Sequence, residues 1–112
     1  MEMVVLNIYN IWADVKEGIT VDEFIAKMTV YLDRLVELNL LQKYRIMRMK
    51  LGFRSMDIPE FHIMMEFNNM ADMDAAMHAT IHDSETDTAH VGFNRWVDVS
   101  TIQHALYRDY PE

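Results

Sequence analysis

The stretch E-F-H-I-M-M-E-F at Glu60–Phe67 predicts the central strand of the fold. Side chains alternate along a strand, so His62, Met64 and Glu66 should share one face. That face carries an imidazole and a carboxylate, which makes it too polar for an ordinary core. The opposite face is wholly apolar, and we expect it to pack against helices through Phe61, Ile63, Met65 and Phe67.

The composition is typical of a globular protein with a single domain spanning residues 1–112. Of the 112 residues, 51% are hydrophobic and 25% are charged. The net charge of −8, without a Lys/Arg cluster, predicts no binding to nucleic acid or to anionic membranes. The absence of cysteine excludes disulfides and thiolate chemistry. No signal segment or membrane-length apolar run is evident, so we expect a cytoplasmic protein.

The first strand is expected over Met3–Val15, which is rich in Val, Ile, Tyr and Trp. Asn7 and Tyr9 would share one face, and Asn10 and Trp12 the other. Each face carries an asparagine among apolar residues, so the pattern leaves open which face meets the helices.

Two helices are predicted from capping signals and apolar spacing. Thr20–Glu23 reads as a capping box, so a helix is expected over Val21–Leu38, with Asn39 as its stop. Asn69 can cap a second helix, whose apolar stripe is Met70, Met73, Met77 and Ile81. After a polar break, a further helical segment over Glu85–Val97 would bury Ala89, Phe93, Trp96 and Val97.

The remaining strands are expected over Gln42–Phe53 and Ser100–Tyr110. The short connection Gly52–Pro59 implies that the second and third strands are antiparallel. The resulting order is the α+β, ferredoxin-like βαββαβ plan, with an antiparallel four-stranded sheet and a second helix broken in two. Helices on one side leave the other sheet face bare, and a second copy of the chain should cover it in a homodimer. The apolar residues expected on that bare face are Tyr44, Ile46, Met64, Leu106 and either Trp12 or Tyr9.

Four segments resemble the dimeric α+β barrel superfamily and, more narrowly, a small bacterial family of unknown function. They are N-I-Y-N-I-W at Asn7–Trp12, R-M-K-L-G at Arg48–Gly52, E-F-H-I-M at Glu60–Met64 and A-L-Y-R-D-Y-P at Ala105–Pro111. The resemblance implies the dimeric barrel and a ligand site between sheet and helices. It also implies a choice among cofactor-free monooxygenases, lactone isomerases, haem-degrading enzymes and stress-responsive binding proteins, and fold alone does not select among them.

No cofactor is expected. Asn7 and His78 would answer to the Asn and His of the haem-degrading subgroup, but the third strand lacks the Trp of that subgroup. Only three glycines occur, which argues against phosphate-cradling and dinucleotide loops.

A group of charged residues is predicted on the bare face. An assumed register that pairs Lys50 with His62 places Arg48 diagonal to both His62 and Glu66, within reach of long side chains. His62 with Glu66 would then act as an oriented general base, and Arg48 would hold a carboxylate or enolate. The alternative is a salt-bridge network between subunits that only fixes the dimer.

Asp74, His78 and His82 recur at helical spacing and raise the question of a metal site. Two histidines four residues apart on one helix face can bind a metal, but no third ligand is evident. A solvated face with an Asp–His pair is the simpler interpretation, so no metal is predicted.

Eleven methionines suit either core filling or a pocket for a long apolar ligand. The pocket hypothesis predicts a protein that binds a small hydrophobic, fatty-acid-like molecule and transforms it by proton transfer or cofactor-free oxygenation. The alternative is a non-catalytic binding or stress-response module. Arg95 is a further candidate for the polar end of the pocket, and the candidate ligand-binding residues are Asn7, Tyr9, Trp12, Met28, Tyr31, Met47, Met49, Ile63, Met65, Met73, Met77, Phe93, Trp96 and Tyr107.

Overall fold

A computed structural model describes residues 5–52, 57–82 and 96–111 of the chain. Its elements are, in chain order, β1 (Asn7–Val15), α1 (Val21–Glu37), β2 (Lys43–Arg48), β3 (Phe61–Phe67), α2 (Met70–His82) and β4 (Val97–Arg108). The four strands form one antiparallel sheet in the order β2-β3-β1-β4. This is the predicted ferredoxin-like α+β fold. Within the described ranges, no helix is both long and apolar enough to span a membrane.

The predicted signals at the ends of α1 are confirmed. The Glu23 amide donates to Thr20 Oγ1 at 3.1 Å, and Glu23 Oε2 accepts from the Thr20 amide at 3.3 Å. This reciprocal pair satisfies two amides that the helix leaves unpaired. At the other end, Asn39 adopts a φ of 59°, the left-handed conformation that asparagine tolerates after a helix.

The core lies between α1 and the predicted apolar face of β3. All four apolar β3 side chains are at most 2% exposed, and the Phe24 ring of α1 lies 5.0 Å from the Phe61 ring, centroid to centroid. Each such buried side chain contributes roughly 1.5–3 kcal/mol. The α1 residues buried there are Phe24, Met28, Tyr31, Leu32 and Leu35.

The pairing of β1 with β3 settles which face of β1 meets the helices. Asn7, Tyr9 and Ile11 lie opposite Phe67, Met65 and Ile63, and paired residues share a face. The Asn10 and Trp12 side chains therefore lie on the side away from the helices. The sequence could not decide this, because Asn7 and Asn10 are both buried, at 4% exposure each.

The assumed register between β2 and β3 is wrong. Met47, not Lys50, lies opposite His62, and Arg48 lies opposite Phe61. The observed register is shifted from the assumed one by three residues, from Lys50 to Met47. Because this shift is an odd number, every β2 side chain lies on the face opposite to the one predicted. Arg48 therefore starts from the helix side of the sheet, and the predicted diagonal between Arg48, His62 and Glu66 does not form.

The same correction applies to part of the predicted bare face. Tyr44 and Ile46 lie opposite Met65 and Ile63 on the helix side. Leu106 lies opposite Tyr9 and joins them there. Met64 and Trp12 are on the helix-free side, as expected.

The last strand begins earlier than predicted. Val97 is its first residue and pairs with Val15, so the expectation of a helix through Val97 is wrong at that end. Residues 85–95 of that predicted helical segment, among them Ala89 and Phe93, lie outside the described residues. The α2 N-terminus agrees with the prediction, since the Asp72 amide donates to Asn69 Oδ1 at 2.8 Å.

Candidate functional site

The sheet face that lies away from α1 and α2, the helices of the described residues, is apolar at its centre and charged along the β2 edge. Its β3 residue His62 lies opposite Met47 on one side and Trp12 on the other. We call this surface the helix-free face, and it consists of Lys43, Arg45 and Met47 of β2, His62, Met64 and Glu66 of β3, Ile8, Asn10 and Trp12 of β1, and Gln103, Ala105 and Tyr107 of β4.

Asn10, His62 and Trp12 form a compact cluster on the helix-free face. His62 Nε2 lies 2.7 Å from Asn10 Oδ1. The Trp12 and His62 rings stack at 4.5 Å between centroids, with 17° between their planes. Asn10 therefore contacts one edge of the imidazole, and Trp12 packs against one of its faces.

The orientation of the Asn10 amide follows from its other contacts. Its Nδ2 donates to the carbonyl of Ile8 at 3.1 Å and to that of Ala105 at 3.3 Å. A backbone carbonyl only accepts, so the NH₂ group must face these two oxygens and Oδ1 must face His62. Because Oδ1 is an acceptor, His62 Nε2 must carry a proton and donate it. In the neutral ring, Nδ1 then holds the lone pair.

Burial lowers the pKa of His62 from its usual 6.5, because desolvation disfavours the charged imidazolium. Burial therefore favours the neutral ring over the imidazolium. Within the described residues, Asn10 is the hydrogen-bond partner of this ring, and it occupies Nε2. This geometry leaves His62 Nδ1 as an acceptor for a ligand.

A cleft of about 240 Å³ opens beside His62. Its walls are mainly apolar, and Arg48 and Glu60 stand on its rim with Arg48 Nη2 3.5 Å from Glu60 Oε2. The Arg48 guanidinium also lies 5.6 Å from the centre of the Phe61 ring. The described residues that line the cleft are Trp12, Met47, Arg48, Met49, Ile58, Pro59, Glu60 and His62.

A second, polar cleft of about 200 Å³ lies on the other side of Ile58 and Pro59, which line both. Asp14 Oδ1 accepts from the Glu60 amide there at 2.7 Å. Gln103 Nε2 donates to the Asp57 carbonyl at 3.1 Å. These bonds tie the segment before β3 to β1 and β4, and so fix the wall of the apolar cleft.

Residues 6–112 match a family described as a family of unknown function, DUF6614. The chain belongs to this family. No curated protein matches the sequence. The DUF6614 chain resembles solved structures in fold, at low sequence identity.

Three of these structures illustrate the likeness. A dimeric ferredoxin-like protein of unknown function from Jannaschia sp. CCS1 has a TM-score of 0.71 at 12% identity, over 91% of this chain and 97% of that one. A dabb family protein from Mesorhizobium loti has a TM-score of 0.66 at 13% identity, over 92% and 95%. SnoaB, a cofactor-independent oxygenase from Streptomyces nogalater, has a TM-score of 0.64 at 12% identity, over 98% and 100%.

The residues predicted to carry chemistry are not brought together in this DUF6614 chain. Glu66 shares the helix-free face with His62, but it lies four residues further along β3, about 13 Å away at about 3.3 Å per residue. It stands opposite Lys43. Arg48 reaches the cleft from the helix side, where its partner is Glu60.

The predicted ligand-binding set divides between the two faces. Trp12, Met47 and Met49 line the cleft, and Tyr107 is 61% exposed on the helix-free face. Phe93 and Arg95 lie outside the described residues. The others that can be placed are on the helix side: Tyr31, Met28, Ile63 and Met65 are buried in the core, Met73 and Trp96 pack against it, and Met77 is half-buried.

Two polar pairs occupy the helix side between β1 and β4. The Tyr9 hydroxyl lies 2.7 Å from His104 Nδ1, and Arg108 Nε donates to Asn7 Oδ1 at 2.7 Å. Burial raises the pKa of Tyr9. Asn7 and Tyr9 were predicted as ligand contacts, and in the structure they hold the edge strand β4.

Sequence reasoning missed Asn10, Ile58 and Pro59 as parts of the site. An asparagine in the middle of an apolar strand face was the available signal, since a buried amide needs partners. Ile58 and Pro59 carry no such signal, because they come from a loop. In the part of the chain that the structure describes, no three His, Asp or Glu residues group as metal ligands. Asp74 and His78 are exposed there, and the side chain of His82 lies outside that part.

Proposed function

We propose that this chain is a one-domain cytoplasmic homodimer that binds a small apolar molecule in the cleft beside Trp12 and removes a proton from it with His62. The observation that carries the proposal is the His62 imidazole, held by Asn10 at the wall of an apolar cleft. Aliphatic, aromatic and thioether walls with a few placed polar groups are typical of small-molecule sites.

The chemistry follows from the state of His62. A neutral imidazole with a free Nδ1 lone pair can accept a proton from a C–H or O–H acid, and such bases contribute roughly 10²–10⁴-fold to a rate. The Arg48 guanidinium at the rim supplies positive charge for the anion that forms. Glu66 has no part in this step, because it lies too far along β3.

The dimer is expected to form through the helix-free face. This surface has Ile8, Trp12 and Met64 at its centre and an exposed Tyr107 beside them. Covering it with a second copy would bury this apolar area and exclude water from His62. The similar Jannaschia protein is described as dimeric and ferredoxin-like, which supports a dimer here.

Oxygenation is the reaction that the likeness to SnoaB favours. After His62 takes the proton, the carbanion or enolate can bond to molecular oxygen, and the proton returns to the terminal peroxide oxygen. The net change is insertion of one oxygen molecule into a C–H bond, which needs no electron donor other than the substrate.

A non-catalytic binding module remains the second candidate. The observation that favours it is that Glu66 lies far along β3 from His62, while the Arg48 guanidinium is already paired with Glu60 at 3.5 Å. Such a module would bind the same molecules without changing them.

The experiment follows hydrogen–deuterium exchange of 2-tetralone, an apolar ketone with acidic C–H bonds, in deuterated water. The wild-type protein should accelerate exchange by at least tenfold over His62→Gln, while the matched control His104→Gln keeps the wild-type rate. Saturable binding without acceleration would favour the binding module. Exchange that is equal in wild type and His62→Gln would contradict His62 as the base. Oxygen uptake with the same ketone then tests oxygenation.

A further inference from the structure

We propose that Asn10 is a positioning residue that holds His62 in its Nε2-protonated tautomer, so that the cleft selects ligands that donate a hydrogen bond, such as neutral phenols and enols. The ligand preference rests on the proposed binding cleft. The tautomer does not rest on it, and the two can be measured separately.

The first step of the argument is the anchoring of Asn10. Its side chain is 4% exposed, and its NH₂ group donates to two carbonyls, one on its own strand at Ile8 and one on β4 at Ala105. Turning the amide over would place Oδ1 against both carbonyl oxygens and lose both bonds. A buried amide pays the desolvation of each unpaired group, so the observed orientation is strongly preferred.

The second step transfers this orientation to the imidazole. Oδ1 lies 2.7 Å from His62 Nε2 and can only accept. The Nε2 atom must therefore be protonated, since two facing lone pairs would repel. The stacked Trp12 ring, 4.5 Å away, holds the imidazole plane and limits rotation of the ring.

The third step concerns the ligand. His62 lines the apolar cleft. Its remaining polar atom, Nδ1, carries a lone pair and can only accept a hydrogen bond. A hydroxyl donor satisfies that lone pair, whereas an ether oxygen placed there would face it unpaired. The cleft, at about 240 Å³, is smaller than the roughly 300–1,000 Å³ of drug-sized sites, which points to a ligand of one or two rings.

Nitrogen NMR of histidine-labelled protein tests the tautomer directly. The chain has five histidines, and the His62→Gln variant assigns the signal of His62. At neutral pH we expect a protonated Nε2, an unprotonated Nδ1 and slow exchange of the Nε2 proton with water. In Asn10→Ala we expect faster exchange of that proton and a mixture of both tautomers. An imidazolium or an Nδ1-protonated ring at His62 in the wild type would overturn the proposal, whatever the Asn10 variant shows.

A matched ligand pair tests the preference. The probes are 2-naphthol, which donates a hydrogen bond, and 2-methoxynaphthalene, which only accepts one and is the more apolar of the two. One net hydrogen bond predicts roughly three- to tenfold tighter binding of 2-naphthol. Asn10→Ala should narrow this ratio. Asn10→Asp should reverse it, because a carboxylate beside Nε2 favours the imidazolium, whose Nδ1 is a donor.

The outcomes separate the two proposals. Equal affinities for both probes, with the expected tautomer, would overturn the ligand preference and leave the binding cleft in place. Binding of neither probe would overturn the cleft, and with it the preference, while the tautomer is judged by NMR alone. Tighter binding of 2-naphthol together with the Nε2-protonated ring supports the inference.

Discussion

A designed disulfide between β2 and β3 tests the register that places Met47, rather than Lys50, beside His62. The chain has no cysteine of its own, so Arg45→Cys with Met64→Cys introduces a single pair. Arg45 and Met64 lie directly opposite each other on the helix-free face. Opposite residues of an antiparallel pair lie about 4.5–5.5 Å apart between Cα atoms, and disulfides accept roughly 4.4–6.8 Å.

The size of the effect follows from the loop that the bond closes. Positions 45 and 64 enclose about 20 residues, and the chain-entropy relation for such a loop gives about 3 kcal/mol of stabilisation. Urea unfolding of the oxidised and reduced double variant measures this difference. The mass of the unreduced, denatured protein shows that the bond is within one chain.

The matched control is Arg48→Cys with Met64→Cys, the pair that the register assumed from sequence would place opposite each other. In the structure these side chains lie on opposite faces of the sheet, because Arg48 pairs with Phe61. We expect no intramolecular disulfide in this control. A ready bond in the control, together with none between positions 45 and 64, would refute the register and the cleft built on it.

Three further predictions concern the dimer and two titrating groups. Tyr107→Glu should shift the protein from dimer to monomer in size-exclusion chromatography with light scattering. The control Val30→Glu, on the exposed side of α1, should leave the dimer intact. An unchanged dimer in Tyr107→Glu would count against a dimer interface on the helix-free face. The Tyr44 hydroxyl donates to Asp33 Oδ1 at 2.6 Å, and Tyr44→Phe should cost about 1 kcal/mol of unfolding free energy, discounted for partial exposure. Burial, and after it the neighbouring Asp33, raises the pKa of Tyr44 from 10.0 to about 12. The stabilisation from the Tyr44–Asp33 hydrogen bond should therefore persist up to pH 10 and disappear as the pH rises to 12. Denaturation curves that do not change over that range would contradict this prediction. Because the pKa of His62 is lowered in the folded protein, the unfolded chain binds a proton there more readily, and the free energy of unfolding should fall as the pH drops below 6.5. His62→Gln should make this fall less steep in pH-dependent unfolding. Equal slopes in wild type and variant would argue against the lowered pKa.

The element order was predictable because each signal was local. The capping box at Thr20 and the alternation along Phe61–Phe67 each determine structure over a few residues, and both are confirmed. The cap predicted at Asn69, at the start of α2, is a local signal of the same kind and is also confirmed. Signals of this kind do not depend on what the rest of the chain does.

The candidate site was less predictable because it depends on register. Pairing Met47 with His62 is a property of the β2–β3 connection, and a one-residue slip changes the face of every side chain. The sequence of that connection does not specify its geometry. For this reason Arg48 was placed on the wrong face, although His62 was placed on the correct one.

The faces of β1 were undecided for a different reason. Asn7 and Asn10 look equivalent in the sequence, and both are buried. Their hydrogen-bond partners differ, because Asn7 bonds to Arg108 and Asn10 bonds to His62. Only long-range pairing distinguishes them, since these partners lie 101 and 52 residues away.

A crystal structure of the protein with 2-naphthol tests the central claim most directly. The claim is that the helix-free face, and not the space between sheet and helices, holds the ligand. We expect the naphthol rings between Met47 and Ile58, with the hydroxyl oxygen about 2.6–3.2 Å from His62 Nδ1. A naphthol bound between β3 and α1, with the cleft beside His62 empty, would contradict the account.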